Sequence, residues 1–141
     1  MSQPRISAGL KAAVRERARG RCEYCRLPET AAFFAHEPDH IIATQHRGPT
    51  ELANLALACI QCNRSKGPNR ASVDPATNRI VPLFNPRTDP WFQHFRTDGG
   101  RVIPLTPTAR ATAALLNFDD PDREATRHKL WQAGHYPSGP A

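Results

Sequence analysis

Four cysteines form two pairs, and each pair has two residues between its members. They are Cys22 and Cys25, within CEYC, and Cys59 and Cys62, within CIQC. Two thiolates at this spacing on a tight turn can both reach one ion, and two such pairs complete a tetrahedral zinc site. Because four thiolates leave the ion no open coordination position, we expect a structural Zn²⁺ and not a catalytic one.

Disulfides and redox chemistry are the other uses that cysteines at this spacing can have. Disulfides persist poorly in a reducing cytoplasm, and the first 20 residues contain no apolar segment typical of a secretory signal. A redox C-x-x-C usually occurs once and within a βαβ unit, which this sequence does not indicate. The pattern therefore favours structural zinc in a cytoplasmic protein.

The segment between the two cysteine pairs carries a second set of polar residues. Its 33 residues exceed the roughly 12 to 20 of compact zinc fingers, so we expect a further structural unit there. Asp39 and His40 are adjacent, Asn54 follows the histidine by fourteen residues, and Asn63 comes directly after Cys62. Together the segments CEYC, PDHIIA and ANLALACIQCNRSKG resemble the HNH endonucleases, over residues 22–67, about a third of the chain.

This resemblance implies a metal-dependent endonuclease that hydrolyses DNA phosphodiester bonds with a ββα-metal centre. It makes His40 the general base and Asn54 the residue that braces the catalytic loop. Asp39 and Asn63 become ligands of a catalytic Mg²⁺ or Mn²⁺ ion. Asn63 stands where the family name has a histidine, a variant that the family tolerates.

The chemistry of these residue types agrees with the implied roles. Phosphodiester hydrolysis needs an activated nucleophile and a Lewis acid. An imidazole that titrates near neutral pH can accept the proton, and carboxylate and amide oxygens suit a hard cation. Adjacent strand residues point to opposite faces, so Asp39 and His40 can share a site only where the strand ends or bulges, and we expect such a break at Pro38.

Local patterns predict an α+β arrangement of short elements around these residues. The predicted elements of the first half are a helix over 7–19 with Ser7 as N-cap, strands over 32–43 and 54–59, the second with alternating residue types, and a helix over 62–66. Those of the second half are hairpins within 74–84 and 94–105 and two helices capped by Thr106 and Asp120. Leu115, Leu116, Leu130 and Trp131 are expected in the core.

These elements make one domain over residues 1–134, with the motif at 22–67 and a disordered tail at 135–141. The chain has 141 residues and a formal net charge of +6. Basic segments at 1–26 and 61–101 flank an acidic segment at 27–58, which is typical of a nucleic-acid surface around a metal centre, although an Arg-rich solvated face fits the charge pattern equally well.

The expected partner is double-stranded DNA, with Arg64 and Lys66 as phosphate contacts. A membrane partner is not expected, because no stretch approaches the roughly 20 apolar residues of a membrane span.

Two functions of other classes compete with the nuclease. One is a zinc-knuckle module that binds nucleic acid without catalysis, and the other is a redox or metal-sensing protein built on the four thiols. A pure binder has no need of a base beside two oxygen ligands, so Asp39, His40 and Asn63 argue against the first.

Overall fold

The computed structural model describes residues 5–137, and their α+β content confirms the predicted fold class. The helices in this range are α1 Ala8–Ala18, α2 Ile60–Lys66, α3 Trp91–His94, α4 Pro107–Leu115 and α5 Pro121–Gln132. The strands are β1 Glu37–His40, β2 Leu55–Ala58, β3 Ala71–Asp74, β4 Arg79–Pro82, β5 Phe95–Asp98 and β6 Arg101–Pro104. Within these residues no helix is both long enough and apolar enough to cross a membrane.

The strands pair as three separate antiparallel hairpins: β1 with β2, β3 with β4, and β5 with β6. The β5–β6 hairpin confirms the one predicted within 94–105, whereas the β3–β4 hairpin begins at Ala71, before the predicted range of 74–84. Between β5 and β6 the turn is two residues long, and Gly99 adopts a φ of 60° there. Glycine accepts such an angle without steric cost, which makes the tight turn possible.

Strand β2 is buried along its whole length because structure covers both of its faces. Leu55 and Leu57 pack with Val14 of α1, whereas Ala56 and Ala58 join the larger core around the cysteines. The alternation expected for this strand is therefore one of side-chain size, leucine toward the helix and alanine toward the crowded cysteine core. A strand that is covered on both faces has apolar residues on both, so its sequence does not show which face contacts which neighbour.

Helix α1 begins and ends as the sequence predicts. The Ser7 Oγ accepts a hydrogen bond of 3.2 Å from the Leu10 N–H, which satisfies one of the free donors at the helix start. The chain leaves the helix at Arg19, whose φ is 54°. The helix thus presents Val14 to β2 and holds one side of the β1–β2 hairpin.

The two C-terminal helices also have the predicted caps. Thr106 Oγ1 accepts from the Ala109 N–H at 3.1 Å, and Asp120 Oδ2 accepts from the Arg123 N–H at 3.1 Å. Helix α5 lies directly on the β5–β6 turn, where a Cβ atom on Gly100 would come within 2.4 Å of the Glu124 carbonyl oxygen. This close approach requires glycine at position 100.

Three sequence expectations are wrong or partly wrong. The first strand spans Glu37–His40 and not 32–43, because the chain bends at residues 32–34 and again at 41–42. Trp131 is 48% exposed and outside the core, whereas Leu116 is fully buried. Of the tail predicted to be disordered, Tyr136 is buried and donates from its hydroxyl to the Cys25 carbonyl oxygen at 2.7 Å; residues 138–141 lie outside the described residues.

Asp74 of β3 and Arg110 of α4 form an ion pair that allows a test of how α4 is held. The guanidinium donates to both carboxylate oxygens, at 2.9 and 2.8 Å, and Ala76 N and Thr77 Oγ1 also donate to them. Arg110 holds the pKa of Asp74 well below its usual range, although burial opposes this shift. The ionised carboxylate is thus the form that the folded state prefers.

We expect Asp74→Asn to lower the melting temperature at pH 7 by several degrees. A carboxyl whose pKa is depressed by folding contributes stability above its unfolded pKa of about 4, and this stability is lost as the pH falls. The difference in melting temperature between wild type and variant should therefore shrink below about pH 4, which thermal unfolding across pH will measure. The exposed Asp119→Asn is the control and should change the melting temperature little; an equal loss in both variants at all pH values would contradict the assignment.

Candidate active site and four-cysteine centre

The four cysteines come together at the base of the β1–β2 hairpin. Their sulfur atoms all lie within 4.8 Å of one another and are buried, and no pair of them is bonded as a disulfide. Each pair folds as a knuckle, with the N–H of Cys25 and Cys62 pointing at the sulfur of Cys22 and Cys59 at 3.5 Å. The structure therefore gathers all four residues that the spacing predicted.

The sulfur cluster has the dimensions of a zinc site. Sulfurs about 2.3 Å from a tetrahedral zinc ion lie about 3.8 Å apart, and the sulfurs of Cys25 and Cys59 are 3.8 Å apart. A disulfide would instead need about 2.05 Å between sulfurs. The soft thiol donors and this geometry are consistent with structural zinc.

The protonation of the thiols is uneven without a metal. Burial raises the pKa of Cys22 and Cys62, while hydrogen bonds from neighbouring thiols lower the pKa of Cys25 and Cys59. A metal ion would displace the protons that remain, since thiolate is the ligand form.

The second cysteine pair positions helix α2. Cys59 is the N-cap residue, and its sulfur takes the place of the usual hydroxyl or carboxylate oxygen. The helix then runs through Cys62 and Asn63 to its end at Gly67. Because Asn63 follows Cys62 directly, a metal ion that fixes the Cys62 sulfur also fixes the position of Asn63.

Asp39, His40 and Asn63 line one cleft of about 250 Å³ between the end of β1 and helix α2. Asp39 pairs with Ala56, and His40, the last residue of β1, pairs with Leu55. Both adjacent side chains reach the cleft because the strand ends at His40 and the chain bends there. The structure brings together the predicted base and both predicted ligands.

The break expected at Pro38 does not occur. Pro38 lies inside β1 opposite Leu57, whose N–H and C=O both bond to Glu23, at 2.7 and 2.8 Å. Leu57 therefore directs its backbone away from β1, and the missing N–H of proline costs the ladder no hydrogen bond at this position. The same two bonds attach the first cysteine knuckle to β2.

Asp39 is buried and its Oδ2 already has two partners. Lys66 Nζ lies 3.1 Å away and the Tyr24 hydroxyl donates at 3.0 Å. Burial raises the pKa of Asp39 above its usual range, and the Lys66 ammonium and Tyr24 hydroxyl partly oppose this. Because the two partners share Oδ2, Oδ1 is the oxygen that neither of these bonds engages.

His40 has a partner that the sequence did not indicate. Its Nε2 lies 2.9 Å from the Thr50 hydroxyl. Burial lowers the pKa of His40 and Lys66 adds to the effect, while Asp39 opposes it. A neutral imidazole is the form in which a histidine can accept a proton.

Asn54 connects the two ends of the loop between β1 and β2. Its Oδ1 accepts from Ile42 N at 2.9 Å, and its Nδ2 donates to the carbonyl oxygens of Ile42 and Pro49 at 3.0 and 2.9 Å. Gly48 passes so close that a Cβ there would lie 1.7 Å from the Ile42 oxygen. The loop that carries Thr50 is thereby fixed from both sides.

The two predicted phosphate contacts lie in different environments. Arg64 is exposed on α2, as a phosphate contact must be. Lys66 is only 3% exposed, is paired with Asp39, and also donates to the His40 carbonyl oxygen at 3.2 Å. This position does not fit a surface contact with phosphate, because the buried Lys66 ammonium neutralises the Asp39 carboxylate beside it.

Tyr24, Gly48 and Thr50 are the residues of the site that sequence reasoning missed. Gly48-Pro49 is typical of a turn, and no sequence pattern links Thr50 to a histidine ten residues earlier. His36, the histidine nearest in sequence to Asp39 and His40, is fully buried, with its Nε2 2.8 Å from the Leu27 carbonyl oxygen. It packs by the first knuckle and outside the cleft lining.

The comparisons with known proteins agree with this geometry. Residues 22–69 match the family model described as HNH endonuclease, which confirms the resemblance found in the motifs. The match supports a nuclease function in general. No curated protein and no solved structure matches the chain.

We expect purified protein to contain about one zinc ion per chain, because four buried sulfurs at this spacing form one tetrahedral site. Cys59→Ser should lose the metal and much of the helical circular dichroism, since metal binding and folding are coupled in such sites. Elemental analysis and circular dichroism measure both. Ser65→Ala, also on α2, is the matched control and should retain zinc; folded wild-type protein without zinc would contradict the prediction.

Proposed function

We propose that the protein is a metal-dependent endonuclease that hydrolyses phosphodiester bonds in double-stranded DNA. The observation that carries the proposal is the cleft shared by Asp39, His40 and Asn63. A base beside two oxygen ligands is the arrangement that phosphodiester hydrolysis needs. The family match over residues 22–69 supports the same class of reaction.

His40 is the general base in this proposal. In the tautomer that carries its proton on Nε2, the Thr50 hydroxyl accepts the hydrogen bond, and Nδ1 has the lone pair that accepts a proton from the attacking water. The Thr50 contact orients the ring. Asn54 keeps Thr50 in place by closing the loop between Ile42 and Pro49.

Asp39 and Asn63 are the residues that would hold the catalytic ion. The available Oδ1 of Asp39 and the amide oxygen of Asn63 are hard donors, which suit Mg²⁺ or Mn²⁺ better than a second zinc. When bound, such an ion supplies positive charge against the negative charge that develops on the phosphate oxygens. Two protein ligands leave room for water and phosphate oxygens in an octahedral shell.

Positive charge on the protein supports DNA as the substrate. The chain carries a net charge of +6, and Arg64 is exposed on the helix that carries Asn63. Arg64 lines a separate cavity and not the cleft, so it would contact a phosphate away from the scissile one, while Lys66 remains the partner of Asp39. Arg64 is therefore the phosphate contact that we retain.

We expect His40→Ala to slow DNA cleavage by about 10² to 10⁴, the usual loss when a positioned general base is removed. DNA affinity should not change, because the substitution removes no positive charge from the binding surface. The measurement is single-turnover nicking of supercoiled plasmid with Mg²⁺ or Mn²⁺, together with a binding assay. Such a rate loss corresponds to about 3 to 5 kcal/mol of barrier.

Two variants serve as controls for His40→Ala. The exposed His46→Ala, in the same loop, should cleave at the wild-type rate. Asn63→Ala should recover activity as the metal concentration is raised, whereas His40→Ala should not. Wild-type cleavage by His40→Ala would show that His40 is not the base, and binding without cleavage by the wild-type protein would favour the zinc-knuckle binding module.

We expect Thr50→Val to reduce the cleavage rate by about 10- to 100-fold, the range typical of partners that orient a site residue. Valine keeps the shape of threonine but cannot accept the Nε2 proton. Thr50→Ser keeps the hydroxyl and should restore most of the rate. The readout is the single-turnover rate at saturating DNA, and equal rates for the valine and serine variants would remove Thr50 from the mechanism.

A further inference from the structure

We infer that Arg123 is a charge-compensating partner of the four-cysteine centre and controls how tightly that centre retains its metal. Arg123 Nη2 lies 3.1 Å from the Cys62 sulfur and 3.9 Å from the Cys59 sulfur. The residue belongs to α5, outside the segment that matches the family model. The inference rests on a metal bound to the cysteines and not on nuclease activity.

The electrostatics of the centre require such a partner. Four thiolates around one divalent ion leave two negative charges in excess, and here the sulfurs are buried. Charge buried without compensation is strongly unfavourable. A guanidinium that donates to one of the sulfurs offsets one of the two charges by a charge-assisted hydrogen bond.

The position of the guanidinium is fixed by contacts on its other side. Nη1 donates to the Asn117 carbonyl oxygen at 3.1 Å and to the Leu116 carbonyl oxygen, and the guanidinium carbon lies 5.8 Å from the Phe118 ring centre. Nη2 is then left to face the sulfurs. Arginine can make both sets of bonds because its donors form a rigid planar fork, which lysine lacks.

The charge state of Arg123 agrees with this arrangement. An arginine guanidinium keeps its charge in proteins, whatever its surroundings. The side chain is therefore a permanent positive charge beside the metal ligands.

A purely structural role for Arg123 is the alternative that the experiment must exclude. Arg127, one turn further along α5, provides the comparison, since it is a buried arginine that also donates to backbone carbonyls, those of Gly100 and Phe118. Loss of Arg127 should loosen α5 without removing any contact to sulfur. Arg123→Gln and Arg127→Gln are thus matched substitutions that differ in the sulfur contact.

The test uses the full chain loaded with Zn²⁺ and measures the rate of zinc transfer to a chromogenic chelator. We expect Arg123→Gln to release zinc about 10- to 100-fold faster than wild type, the effect typical of partners that support metal ligands. Arg127→Gln should release zinc near the wild-type rate at temperatures where it is folded. Arg123→Lys should fall between wild type and Arg123→Gln, because it keeps the charge but not the fork.

A second measurement reports on the sulfurs themselves. In Co²⁺-substituted protein, the sulfur-to-metal charge-transfer band should move to lower energy in Arg123→Gln, because the thiolates lose a positive neighbour. It should not move in Arg127→Gln. Equal release rates and unshifted bands in both variants would overturn the inference, and so would wild-type protein that binds neither Zn²⁺ nor Co²⁺; neither readout depends on DNA cleavage.

Discussion

The convergence of four buried sulfurs is the constraint on which the rest of the structure depends. It joins two chain segments that are 33 residues apart and holds the β1–β2 hairpin between them. A helix of seven residues is too short to be stable alone in water, so α2 depends on its attachments. Cys59 caps that helix and Cys62 precedes Asn63, which makes the geometry of the cleft a consequence of the geometry of the sulfurs.

The cleft contains a second set of buried charges, Lys66 and Asp39, which neutralise each other. Lys66 donates to Asp39, to the His40 carbonyl oxygen at 3.2 Å and to the Gly67 carbonyl oxygen at 3.4 Å, so its ammonium has partners on both the strand and the helix. Removing one member of such a pair leaves an isolated charge in the core. The pair therefore connects the end of β1 to the end of α2 at the cleft that Asp39, His40 and Asn63 line.

Sequence reasoning predicted the elements and the convergence of the motif residues because spacing and caps are local signals. The Ser7, Thr106 and Asp120 caps and the β5–β6 hairpin are present as predicted, and the β3–β4 hairpin begins three residues before its predicted range. The predictions failed where a contact between residues distant in the sequence determines the environment of a side chain. The sequence predicts Lys66 as a surface cation, but in the fold it lies 3.1 Å from Asp39. Tyr136 is likewise predicted in a disordered tail, but its hydroxyl donates to the Cys25 carbonyl oxygen.

The residues beyond the family segment complete the core that this segment begins. Trp91 Nε1 donates to the Tyr24 carbonyl oxygen at 2.8 Å, so the first cysteine knuckle is bonded to the region that the motif does not cover. Phe84, Phe95 and Phe118 pack in the same core as the four cysteines. A short segment buries too little apolar surface to fold on its own without such help. The later hairpins and helices therefore supply both the apolar cover and, through Arg123, the positive charge that a buried thiolate centre needs.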